Sequence, residues 1–115
     1  MNTLDRLAGI IERWYDSDGN YHRDDGPAII YASGHKAWLQ HGRFHQDNGP
    51  AVIQANGDTE WYQYGKLNRT DGPAIEFADG RGFFWLNNRH LPFDEWANEV
   101  DLSDEDKVMM KLKYG

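Results

Sequence analysis

Apolar positions come in short runs, and glycine, asparagine or aspartate separates one run from the next. Such punctuation predicts strands joined by tight turns. Residues 28–32 (Ala-Ile-Ile-Tyr-Ala) form one run, and residues 51–55 and 74–78 repeat it. Ser33-Gly34, Asn56-Gly57 and Asp79-Gly80 follow. Pairs of this kind predict two-residue hairpin loops of type I′, in which both central residues need φ > 0. Second strands then return through residues 36–41, 59–64 and 83–87. A further turn at Gly42, Gly65 or Asn88 leads into a polar loop that ends in Gly-Pro. Proline cannot donate to a ladder, so it marks the entry edge of the next hairpin.

The runs recur with a fixed period. Gly-Pro-Ala stands at residues 26–28, 49–51 and 72–74, a spacing of 23 both times. Ile29, Val52 and Ile75 follow, then Gly34, Gly57 and Gly80, then Trp38, Trp61 and Phe84. Asn88 takes the place of Gly42 and Gly65, which keeps the tolerance for positive φ. Tyr15, Gly19 and His22 match Trp38, Gly42 and His45, so a partial unit precedes the first full one. The fold this predicts is mostly β: a single-sheet, elongated antiparallel meander of tandem hairpins. No hairpin buries its own apolar face, so stability accumulates along the array.

The ends depart from the period. Leu4, Leu7, Ala8, Ile10 and Ile11 lie at near-helical spacing, which predicts an N-terminal capping helix over residues 3–13. Residues 92–100 predict a short helix. Ser103 followed by Asp104, Glu105 and Asp106 is an N-cap with acids in the first turn, and Lys111 and Lys113 fall in the last. Residues 1–115 are therefore expected to form one domain: the cap, repeats over 14–90, and an acidic helical segment over 91–115.

Composition narrows the function classes. The 115 residues hold 12 Gly, 5 Trp, 6 Tyr and no cysteine, so thiol chemistry and thiolate metal sites are excluded. Net charge is −7, and residues 94–115 carry seven acids against three lysines. The basic footprint of a nucleic-acid-binding domain is missing. Neither a secretory signal nor a run of roughly 18 apolar residues is visible, so no membrane association and a cytoplasmic location are expected.

The repeat resembles the MORN-type repeats, especially the variant form in bacterial and phage proteins. Its signature here is Tyr15, Gly19, His22, Arg23, Asp25-Gly26-Pro27-Ala28, and later Trp61, Gly65, Asn68, Arg69, Asp71-Gly72-Pro73-Ala74. The resemblance covers residues 14–90. It implies a β-hairpin scaffold for protein or membrane contact with no shared active site. The membrane-binding version uses basic surfaces to meet anionic lipid, and a net charge of −7 departs from that.

The polar residues have structural explanations. His22 and His45 occupy equivalent positions roughly 10 Å apart, given two strands of about 4.8 Å per unit. Zinc needs nitrogens at about 2.0–2.1 Å, so that pair cannot share an ion; His35, His41 and His90 show no ligand spacing either. Asp24-Asp25, Asp47-Asn48 and Thr70-Asp71 precede Gly-Pro in every unit and read as turn chemistry. Arg23, Arg69 and Arg89 lie beside the turns, and Gly80-Arg81-Gly82 is a poor phosphate loop. No catalytic residue, metal or cofactor is expected, and an enzyme is not.

Binding is left to two features. Alternation puts Trp38, Trp61 and Phe84 on one face and Leu39, Tyr62 and Trp85 on the other, with Tyr64 and Tyr31 bordering them. Exposed aromatic patches mark binding surfaces. The second feature is the acidic segment, with Glu95, Glu99, Asp101, Asp104, Glu105 and Asp106. Together they predict a non-enzymatic protein-binding module from a bacterium or phage whose partner has a basic surface. In its sharper form it is an anti-CRISPR or anti-restriction type inhibitor of a host or defence enzyme such as a nuclease. The alternatives are a carbohydrate-binding module that stacks sugars on the aromatic ladder, or a structural and assembly protein.

Overall fold

The computed structural model describes residues 9–114. An eight-stranded antiparallel sheet runs through β1 (Ile10–Arg13), β2 (Ile29–Tyr31), β3 (Lys36–Ala37), β6 (Val52–Ile53), β7 (Thr59–Glu60), β10 (Ile75–Glu76), β11 (Gly82–Leu86) and β12 (Arg89–Leu91). Two small ladders continue it sideways: β4 (Leu39–Gln40) with β5 (Arg43–Phe44), and β8 (Tyr62–Gln63) with β9 (Lys66–Leu67). The molecule measures 52 × 29 × 21 Å, with a radius of gyration of 16.0 Å. A compact domain of this length has about 13 Å. The hairpin meander is thus elongated, as the period requires.

Each unit makes two turns of different kinds, and the type I′ geometry falls at the second. His41-Gly42 (φ 50 and 82), Tyr64-Gly65 (49 and 83) and Asn87-Asn88 (48 and 66) have both central residues at positive φ. At Ser33-Gly34, Asn56-Gly57 and Asp79-Gly80 only the glycine does. There the amide of Gly34 bonds the carbonyl of Tyr31 at 3.0 Å, and the amide of Tyr31 bonds that of His35 at 2.9 Å. This is a three-residue loop, a type I turn closed by a glycine bulge. The type I′ geometry expected at these pairs is therefore corrected. A dipeptide ending in glycine fits either turn, and the strand register decides which.

Two further expectations are corrected. Residues 10–13, assigned to the capping helix, form strand β1, with Ile10 opposite Tyr31 and Arg13 opposite Ile29. The free edge of β2 gives the β-branched Ile10 and Ile11 a ladder, and Gly9 at φ 71 departs from helical backbone. The rest of that assignment, residues 3–8, lies outside the described residues. The partial unit is also shifted by one. Trp14, and not Tyr15, matches Trp38: its amide bonds the carbonyl of Ala28 at 2.9 Å, as that of Trp38 bonds Ala51 at 2.7 Å. The hairpin after Trp14 is one residue longer, which hides the match in an ungapped comparison.

The helices α1 (Phe93–Glu99) and α2 (Asp104–Tyr114) follow the sheet. Ser103 caps α2, its Oγ accepting the amide of Asp106 at 3.1 Å. Phe84 lies 4.5 Å from Trp96 and 5.9 Å from Tyr114, ring centre to ring centre. With Leu86, Leu91 and Ala97 these form one core cluster. Ile10, Ala28, Ile29, Ala37 and Leu39 form another at the far end.

Candidate functional site

Cross-strand pairing defines two faces. Ile29, Ala37, Val52, Glu60, Ile75 and Phe83 stand opposite one another across the sheet on one face. Alternation adds Leu39, Tyr62 and Trp85 to it and directs Trp14, Trp38, Trp61 and Phe84 to the other. The helices bury Phe84 on this second face. The Gly-Pro loops lie on it as well, because they fold back over the tryptophans.

The loops are held there by a recurring clamp. The Arg23 guanidinium lies 3.8 Å from the Trp14 ring centre, and that of Arg69 lies 3.9 Å from Trp61. Arg23 Nε donates to Asp25 at 2.9 Å and Nη1 to the Pro27 carbonyl at 3.3 Å. Arg69 repeats this with Asp71 at 2.7 Å and Pro73 at 3.1 Å. The side chain passes over the glycine of Gly-Pro-Ala, so a Cβ at Gly72 would meet Arg69 Cζ at 2.8 Å. That glycine is needed for close approach; its φ is not positive. In the middle unit Gln46 replaces arginine and Asn48 replaces the paired aspartate, and Gln46 Nε2 donates to the Pro50 carbonyl.

The histidines serve the turns. His22 Nδ1 accepts the amide of His41 at 3.0 Å, and His45 Nδ1 accepts that of Tyr64 at 3.0 Å. Asn68 Oδ1 does the same for Asn87 at 3.1 Å, so an acceptor is what the position requires. With Nδ1 accepting, Nε2 carries the proton and donates to Asp24 (3.0 Å) or Asp47 (2.9 Å). The fold also gathers Asp16, His22 and His41, a set the sequence spacing did not reveal, with donor atoms within 4.8 Å of one another. His41 Nδ1 lies 2.7 Å from Asp16 Oδ2, and Asp16 Oδ1 takes the amides of Asp18 and Asn20. The His41 bond and then the Asn20 amide hold the Asp16 carboxyl down at about 2. Both ring nitrogens of His22 are engaged, so the group works as a clasp between the partial unit and the first full one.

The candidates from the sequence do not converge on one surface. Trp38 lies in a cleft of about 450 Å³ with Arg23, Asp24, Gln46, Asp47 and Tyr64 on its walls. Trp61 lies in the equivalent cleft with Asp47, Asn48, Arg69 and Asp71. Tyr64 stands at a turn tip, 60% exposed, its ring 4.2 Å from His45. Tyr62 and Trp85 occupy the opposite face. The Tyr62 hydroxyl donates to Glu60 at 2.7 Å, and burial together with that carboxylate pushes the phenol well above its usual range. Trp85 stacks on His90 at 4.9 Å, and its buried Nε1 has no hydrogen-bond partner among the described residues.

The acids divide by role. Glu99 pairs with Arg89 at 2.7 Å. Asp101 sits at φ 56 just beyond α1, where the amides of Asp101 and Leu102 close the helix onto Asn98 and Ala97. Asp104, Glu105 and Asp106 fill the first turn of α2, and Glu95 that of α1, all exposed. Asp106 shares a hollow with Asp71 and Thr70, which joins the acidic helix to the last Gly-Pro loop. Among the described residues no helix is long and apolar enough to cross a membrane. No protein-family model, characterised protein or solved structure matches the chain.

Proposed function

We propose that the chain is a non-enzymatic protein-binding module whose loop face engages a basic surface on its partner. In its sharper form it is an acidic inhibitor that occupies the nucleic-acid-binding groove of an enzyme such as a nuclease. One observation carries this reading: every Gly-Pro loop presents an exposed carboxylate beside a tryptophan cleft. The side chains of Asp24, Asp47 and Asp71 are 84%, 78% and 74% exposed. Asp106 extends the line onto α2. Repeat geometry spaces Asp24 and Asp47 by roughly 10 Å, and Asp71 follows Thr70, which holds their position in the third unit. Asp71 is already paired with Arg69 at 2.7 Å, so the charge that steers a basic partner rests on Asp24, Asp47 and Asp106, and aromatic rings beside it supply contact area. The histidines support a binding role, since those of the loops give both ring nitrogens to turns and loop carboxylates.

The test is affinity capture from bacterial lysate at low and high salt, beside a variant with Asp24, Asp47, Asp71 and Asp106 changed to Asn. The expected result is one basic, nucleic-acid-binding enzyme retained by the wild type at low salt only. That enzyme should be lost from the variant, and its cleavage of DNA inhibited by added protein. Eluates that are identical for wild type and variant overturn the proposal.

A further inference from the structure

We infer that the Trp38 cleft is a receptor for the guanidinium of a partner's arginine; this rests on the protein-binding reading above and names its chemistry. The molecule itself stacks a guanidinium on an indole ring twice. At Trp14 and Trp61 an indole ring, an aspartate and a proline carbonyl hold a guanidinium at 3.8 and 3.9 Å from the ring centre. Both guanidinium groups come from the chain itself.

The middle unit keeps the ring and removes the cation. Gln46 retains the bond to the Pro50 carbonyl and lies against Gly49, yet it brings no charge to Trp38. Asn48 stands where the other units have the paired aspartate. The two exchanges go together, since either alone would leave an unpaired charge. Trp38 lines a cleft of about 450 Å³, the same volume as the cleft beside Trp61. Asp24 and Asp47 both line it, and each accepts the Nε2–H of a histidine. Three acids (Asp24, Asp25, Asp47) against two arginines (Arg23, Arg43) give the lining a charge of −1. Arg23 is already engaged by Asp25, and Arg43 lies at the rim over Tyr64, 5.8 Å from its ring centre. A flat cation fits this arrangement: guanidinium stacks on indole and forks to carboxylates, and ammonium does so less well.

The test titrates the isotope-labelled full chain with N-acetyl-arginine amide, N-acetyl-lysine amide and methyl glucoside, following the five indole N–H signals. The arginine probe is expected to shift the Trp38 signal most and to bind more tightly than the lysine probe. The double variant Gln46→Arg/Asn48→Asp rebuilds the neighbouring clamp in the middle unit, so its fold is retained. It should lower arginine affinity by about tenfold. Shifts centred on Trp14 or Trp61, unchanged affinity in the double variant, or a preference for glucoside each overturn the inference. The probes need no partner protein. Failure here with salt-sensitive capture intact removes the cleft assignment alone, and the opposite result removes the partner reading alone.

Discussion

Replacing Gly72 with alanine isolates the reason for the glycine in Gly-Pro-Ala. The new Cβ would stand 2.8 Å from Arg69 Cζ, closer than real Cβ contacts, and 3.1 Å from Nε, a tight one. These are the far atoms of a flexible side chain, so the clash is relieved by swinging Arg69 off Trp61. The cost is then what Arg69 loses. Cation–π contact contributes about 1 kcal/mol at a partly exposed site, and the bond from Nη1 to the Pro73 carbonyl contributes about as much. The pair with Asp71 adds less than about 1 kcal/mol, because that carboxylate is 74% exposed. Gly72→Ala should therefore destabilise by about 2 kcal/mol in urea unfolding. In an Arg69→Ala background the space is vacant and φ is ordinary, so the same change should be neutral or stabilise by about 0.5 kcal/mol through the unfolded chain. An equal cost in both backgrounds would refute the reasoning and assign the glycine to backbone conformation. Gly80→Ala is the control: nothing lies within 4 Å of its Cβ, but φ is 96, so its cost should not depend on Arg69.

Other outcomes follow from the same geometry. His45→Asn should stay within about 1 kcal/mol of wild type, because an amide oxygen can accept the Tyr64 amide as Asn68 accepts that of Asn87, whereas His45→Leu should cost about 1–3 kcal/mol. Ser103→Ala should cost about 1 kcal/mol and speed amide exchange in the first turn of α2 before it affects the sheet. Asp16 has its carboxyl lowered from 3.8 to about 2 by His41 and the Asn20 amide, so its contribution is complete above pH 3.8 and is lost as pH falls through about 2. The clasp onto His41 should open across that window in amide exchange of residues 16–20, and Asp16→Asn should abolish the pH dependence.

Local chemistry made the repeat legible. The Gly-Pro-Ala spacing, the glycine-led turns and the Ser103 cap depend on backbone preferences of a few adjacent residues, so the hairpin array and both C-terminal helices could be read from the chain. The alternation of Trp38 with Leu39, and of Trp61 with Tyr62, is equally local, so the two faces are separable in the sequence.

Which part of each face is covered was not separable, because that depends on contacts across one unit or more. Arg69 reaches back to Trp61, and α1 and α2 fold over Phe84 only after the meander has formed. Type I′ geometry at His41-Gly42 and Tyr64-Gly65 was missed because neither His nor Tyr favours positive φ. His22 and His45 stabilise those turns from 19 residues away. Residues 10–13 became a strand because β2 had a free edge, which outweighs a weak helical pattern. Asp16, His22 and His41 likewise meet only when two hairpins lie side by side. Sequence therefore determined the period and where its turns fall, which rest on local backbone preferences, while the turn types depend on contacts across a unit. Tertiary structure decided which parts of the two faces are buried, the clamped loops and the Trp38 cleft, since those rest on side chains brought together by the sheet's register.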